Sequence, residues 1–97
     1  MRGEAAITVA GATRQLRPSF DALVRAEEEL GPLFALVERA GAGQLRLNEI
    51  AALFWHCLAE RGGLTREGVG EAVLAMGLVE AARPLRVLLG EILRGKG

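Results

Sequence analysis

Tyrosine is absent from the 97 residues, and cysteine, histidine and tryptophan occur once each. A lone cysteine, Cys57, cannot close an intrachain disulfide, which excludes the disulfide-stapled secreted scaffolds and fits a reducing cytoplasm. A lone histidine cannot supply the multi-ligand spacings of a zinc site, so no metal is expected. Neither sign of charge dominates: twelve Lys plus Arg balance twelve Asp plus Glu. The chain therefore lacks the positive field that draws nucleic acid or anionic membrane, and neither is expected as a partner. No apolar run approaches the roughly 20 residues that span a bilayer, and Met1-Arg2-Gly3-Glu4 does not lead into the apolar core of an export signal. Phosphate loops of the GxxxxGK[ST] or GxGxxG type are missing, as are GxSxG, HExxH and paired CxxC motifs. Enzyme chemistry and cofactors thus find no support.

What is present is a foldable composition, with 51% hydrophobic and 25% charged residues, in a length that suits a single domain over residues 1–97. The pattern predicts an α+β fold, a β-hairpin over 4–17 packed on a helical part over 19–94 with about four to five helices. In the hairpin apolar residues alternate, and a turn at Ala10-Gly11 sets Val9 opposite Ala12, Ile7 opposite Arg14 and Ala5 opposite Leu16. Ser19, after Pro18, is positioned to cap a helix that runs to Leu30, where Gly31-Pro32 stops it. Leu33, Phe34, Leu36 and Val37 describe a short second helix ending at Gly41-Ala42-Gly43. A third, from about residue 46 or 48 to Arg61, is apolar around most of its circumference and is expected to end at Gly62-Gly63. Thr65 caps a fourth through about Ala75, with Gly77 closing it. Leu78, Ala81, Ala82, Leu85, Leu88, Leu89 and Ile92 form the stripe of a fifth, in which Pro84 either introduces a kink or marks a start near Arg83.

Adjacent helical residues point about 100° apart, so His56-Cys57 reads as a surface histidine beside a buried thiol rather than an activated nucleophile. His56 is expected to pair with Glu60 one turn on, and together with Glu49 they form the narrow polar stripe of the third helix. Glu27 falls within the apolar face of the first helix and needs partners: Arg14 or Arg17 from the hairpin, backbone N–H groups of a neighbouring segment, or solvent. Glu27-Glu28-Glu29 as a whole reads as a solvated run. Arg83, Arg86, Arg94 and Lys96 make the C-terminal segment locally basic. Surplus apolar surface on the third and fifth helices marks a partner-binding module or a homo-oligomer, and for any one of these residues service in the chain's own core is the equal alternative.

The order Ile7-Thr8-Val9-Ala10-Gly11, then Leu16-Arg17, then a helix carrying Leu23, Glu27 and Gly31 resembles the small tail proteins of bacterial gene transfer agents and related prophages. The likeness continues through Asn48-Glu49-Ile50-Ala51-Ala52-Leu53 and Gly62-Gly63-Leu64-Thr65. It departs from the family at Phe54, Trp55, His56 and Cys57, where small residues are usual, and at Pro84. The resemblance implies a non-catalytic tail assembly protein. The role expected first is that of a chaperone covering helices of the tape-measure protein, since one short hairpin with about five helices is little strand for a tube wall; the alternative is a structural tail or tail-tube component retained in the particle. An unrelated cytoplasmic helical adaptor is the reading outside the family. For the chaperone, Trp55, Leu85, Leu89 and Ile92 are the expected anchors, since a client helix needs an apolar groove.

Overall fold

The computed structural model describes residues 5–95, so Glu4 and Lys96 lie outside the described residues. Strands β1 (Ala6–Val9) and β2 (Ala12–Gln15) pair antiparallel, with Ile7 opposite Arg14 and Val9 opposite Ala12 as the alternation predicts. Ala10 and Gly11 both take positive φ, 54° and 78°, the backbone that a two-residue type I′ connection requires. Ala5, Ile7, Val9 and Leu16 are buried beneath the sheet. Arg14 sits at the edge of this face with its Nε donating to the Val9 carbonyl at 3.3 Å.

Among the described residues five helices follow: α1 (Phe20–Leu30), α2 (Leu33–Gly41), α3 (Leu47–Cys57), α4 (Arg66–Met76) and α5 (Leu78–Arg94). The Ser19 hydroxyl accepts the Ala22 N–H at the start of α1, and the Thr65 hydroxyl accepts the Gly68 N–H at the start of α4. Each satisfies a donor that has no partner within its helix. Gly31, at φ 95°, ends α1. Pro32 follows it and offers no capping side chain to α2. Instead the Glu27 carboxylate reaches across this turn and accepts the Leu33 N–H at 3.0 Å, while the Glu27 carbonyl accepts the Gly31 N–H. Glu27 thus locks the turn from both its backbone and its side chain, through Gly31 and Leu33.

Two boundaries differ from the periodicity. Helix α3 ends at Cys57, four residues before Arg61. Leu58 turns to an extended backbone and bridges Leu16, so that Arg17 donates to the Cys57 carbonyl at 2.6 Å and Ala59 donates to the Gln15 carbonyl at 2.9 Å. Pairing with the hairpin outcompetes further helix there, and Gly62-Gly63 lies in the loop beyond. Helix α5 begins at Leu78 and runs through Pro84, so a start near Arg83 is overturned. The Gly77 carbonyl accepts the Ala81 N–H and opens the ladder, leaving proline to remove a single interior donor.

One apolar cluster joins all these elements, with Phe54, Leu53, Leu36, Leu16, Leu88, Val69 and Val73 at its centre. Helix α3 lies innermost, burying Ala51, Ala52, Leu53, Phe54 and Cys57. That burial explains why its sequence is apolar nearly all round.

Candidate functional site

The residues expected to anchor a partner are placed mainly inside the chain. Leu85 and Leu89 are buried in the central cluster, and Trp55 and Ile92 are half-buried against it. The Arg61 guanidinium lies 4.5 Å above the Trp55 ring, a cation–π contact that covers its outward face. The stripe of α5 therefore serves the chain's own core. Arg14 and Arg17 do not reach Glu27: Arg14 bonds to Val9 as above, and Arg17 donates to Gln15 Oε1 at 3.4 Å. Of the partners weighed for Glu27, the backbone N–H is the one it takes, at an exposed position.

His56 likewise turns away from Glu60, because α3 has ended before that residue. Its Nε2 lies 2.8 Å from Glu29 Oε1, while Arg66 grips the same carboxylate with two bonds of 2.6 and 2.9 Å. This node ties α1, α3 and α4 together. The Arg66 bonds, then the His56 bond, lower the Glu29 carboxyl to about 2. The acidic run is thus not uniformly solvated. Glu49 is a second tie, accepting from Arg39 at 2.9 Å and from the Arg46 N–H at 2.9 Å, which joins α2 to the start of α3. The Cys57 thiol is raised to about 12, chiefly by burial and then by the charge of Glu91, so it stays protonated and inert.

Beside the Glu29 node, the first half of α3 and the outer side of α4 enclose a groove of about 560 Å³. Leu47, Ala51, Gly70 and Leu74 give it an apolar floor, and Asn48, Arg66, Glu67 and Glu71 line its rim. Leu47 and Leu74 remain exposed. Thr65, through its cap, fixes the end of α4 that forms one wall. Leu74 lies off the stripe of Val69, Ala72, Val73 and Met76, and this displacement was the available signal in the sequence for the groove.

Other large apolar side chains stand in solvent: Phe20 and Phe34 on α1 and α2, and Val79 and Leu93 on α5. Exposures of 86% for Phe20 and 80% for Val79 are unusual for such residues within ordered helices and mark surfaces available for association. Among the described residues no cluster of His, Cys, Asp and Glu is arranged to hold a metal ion, and no helix is long and apolar enough to cross a membrane.

No curated protein and no solved structure gives a significant match to the chain. The model of one family, described as phage tail tube protein, GTA-gp10, matches residues 2–95. With nearly its whole length matched, a hairpin on a helical body and apolar side chains left at its surface, the chain belongs to this gene transfer agent and phage tail protein family.

Proposed function

We propose that this chain is a non-catalytic structural component of a phage-like tail, acting as one domain and retained in the assembled particle at the tail tube. The match to the tail tube family across residues 2–95 carries the reading. Its partners are other tail proteins or further copies of itself, and it assembles with them in the cytoplasm of a bacterial host before residing in the particle. The exposed apolar residues and the α3–α4 groove are the surfaces such an assembly would cover.

A second reading, the chaperone of tape-measure helices, has one observation in its favour. Among the described residues the strands are four residues each and form a single hairpin, which is little strand for a continuous tube wall. In that reading Trp55, Leu85, Leu89 and Ile92 would receive a client helix, and α5 would have to lift from the core to expose them.

Quantitative mass spectrometry of purified tails separates the two. The structural role predicts this chain in fixed proportion to the other tail proteins. Its absence from finished tails, with recovery on the tape-measure protein during assembly, would overturn that role in favour of the chaperone.

A further inference from the structure

Two surfaces of the chain complement each other without meeting. The first is the α3–α4 groove, apolar in its floor and acidic at its α4 edge, where Glu67 and Glu71 project. Among the described residues neither carboxylate has an ion-pair or hydrogen-bond partner. Glu29, also at the rim, is already neutralised by Arg66. The groove therefore presents uncompensated negative charge around an apolar floor.

The second is the outer face of α5. Val79, Arg83, Arg86, Gly90 and Leu93 recur at steps of four, three, four and three residues along this helix, the spacing of a seam that stays on one side. All of these but the half-buried Gly90 are exposed. Arg94 extends the basic character at the end, its guanidinium folding back over Gly90, where an added Cβ would come within 2.8 Å of Nη2. Arg83 has only a loose 3.7 Å ion pair with Glu80. The seam is about 21 Å long at the helical rise per residue, comparable with the 24 Å shortest dimension of the molecule. Ala81, Leu85, Leu88 and Leu89 hold the opposite face of α5 in the chain's own core, and among the described residues the outer face stays open to a partner.

We propose that the outer face of α5 from one copy docks into the α3–α4 groove of a second copy. Val79 and Leu93 would cover Leu47 and Leu74, with Arg83 and Arg86 against Glu67 and Glu71. Opposite charges at the rim set the partner and the direction, and the apolar floor supplies the burial. Because the two surfaces are different, the contact is head-to-tail: each copy uses one face as donor and the other as acceptor, and the chain of contacts closes into a ring or continues as a stack. This inference stands on the two faces and not on the tail assignment.

Sedimentation velocity over a concentration series tests it, with Arg86→Glu and Glu71→Arg as variants. Both positions are exposed, and circular dichroism confirms that each variant folds. The wild type is expected to associate with concentration, and less so as salt is raised. Each reversal weakens association at least tenfold. The double variant regains it, and an equimolar mixture of the two single variants co-sediments. A wild-type chain that stays monomeric up to about 1 mM would overturn the proposal. So would association that ignores both reversals, as expected if Phe20 and Phe34 made the contact, or a double variant that fails to recover. A groove filled only by a different tail protein would leave the chain alone monomeric and therefore counts against it. Recovery of the chain in finished tails together with a monomeric wild type would sink this inference alone. Self-association of a chain missing from tails would sink the structural-component reading alone.

Discussion

The two faces of α5 are both apolar in part, yet they have opposite fates. Ala81, Leu85, Leu88 and Leu89 on the inner face are buried, whereas Val79 and Leu93 on the outer face stand in solvent on either side of Arg83 and Arg86. Both sets recur at helical spacing. What separates them is density: the inner stripe has apolar side chains at nearly every turn, and the outer one has Val79 and Leu93 at its two ends with Arg83 and Arg86 between them. A dense stripe is spent on the chain's own core, while a sparse one with charge beside it remains for a partner. Cutting each face back should therefore move different observables. Leu88→Ala removes a fully buried side chain from the centre of the cluster and is expected to cost about 2–5 kcal/mol in denaturant unfolding. Val79→Ala is expected to leave stability within about 0.5 kcal/mol. Equal losses at the two positions would mean that the outer face is also packed in the free chain.

A second contrast sets the groove wall against the hairpin turn, both held by local backbone chemistry. Thr65→Ala deletes the hydroxyl that accepts the Gly68 N–H and is expected to lower stability by about 1 kcal/mol. Gly68 lies directly against that hydroxyl, since a Cβ placed on it would come within 3.2 Å of Thr65 Oγ1. At the other site Ala10 holds a left-handed backbone at φ 54°, which costs an L-residue with a side chain about 1 kcal/mol relative to glycine. Ala10→Gly is therefore expected to stabilise the chain by roughly 0.5 kcal/mol, after the added freedom of glycine in the unfolded chain is subtracted. Thermal melts of the two variants should shift in opposite directions.

The same contrast between covered and uncovered surface decides how much was legible in the residues. The register of the hairpin could be read because a period of two and a two-residue turn leave one arrangement with Ile7 and Val9 on the buried face. The caps at Ser19 and Thr65 were legible because they are local. The end of α3 was not, since Leu58 leaves the helix to pair with Leu16, more than forty positions earlier in the chain. The Glu29 node was equally hidden: its partners His56 and Arg66 lie 27 and 37 residues away. For Leu85 and Leu89 the periodicity correctly found an apolar stripe, but a stripe alone does not say whether the chain or a partner covers it. The groove and the outer face of α5 had a weaker signal, a large apolar residue displaced from the main stripe, at Leu74 and at Val79.

The remaining expected effect concerns that hidden node, which borders the groove yet takes its partners from within the chain. Glu29 is held as a carboxylate by Arg66 and His56, with its folded value lowered to about 2 from an ordinary 4.5. A depressed carboxyl contributes stability above its unfolded value, and that contribution is lost as pH falls through the folded one. The loss from Glu29 is thus expected between about pH 4.5 and pH 2. The carboxylate is 36% exposed, so solvent screening keeps the contribution near the range of surface pairs, below about 1 kcal/mol. Glu29→Gln should make the chain slightly less stable at neutral pH and remove part of its acid sensitivity, so that the two stability curves converge toward pH 2. Curves that remain parallel through this window would show that the Glu29 charge is not what joins α1 to α3 and α4. In that case the wall of the groove is held by the packing of Leu53, Phe54 and Val69 alone.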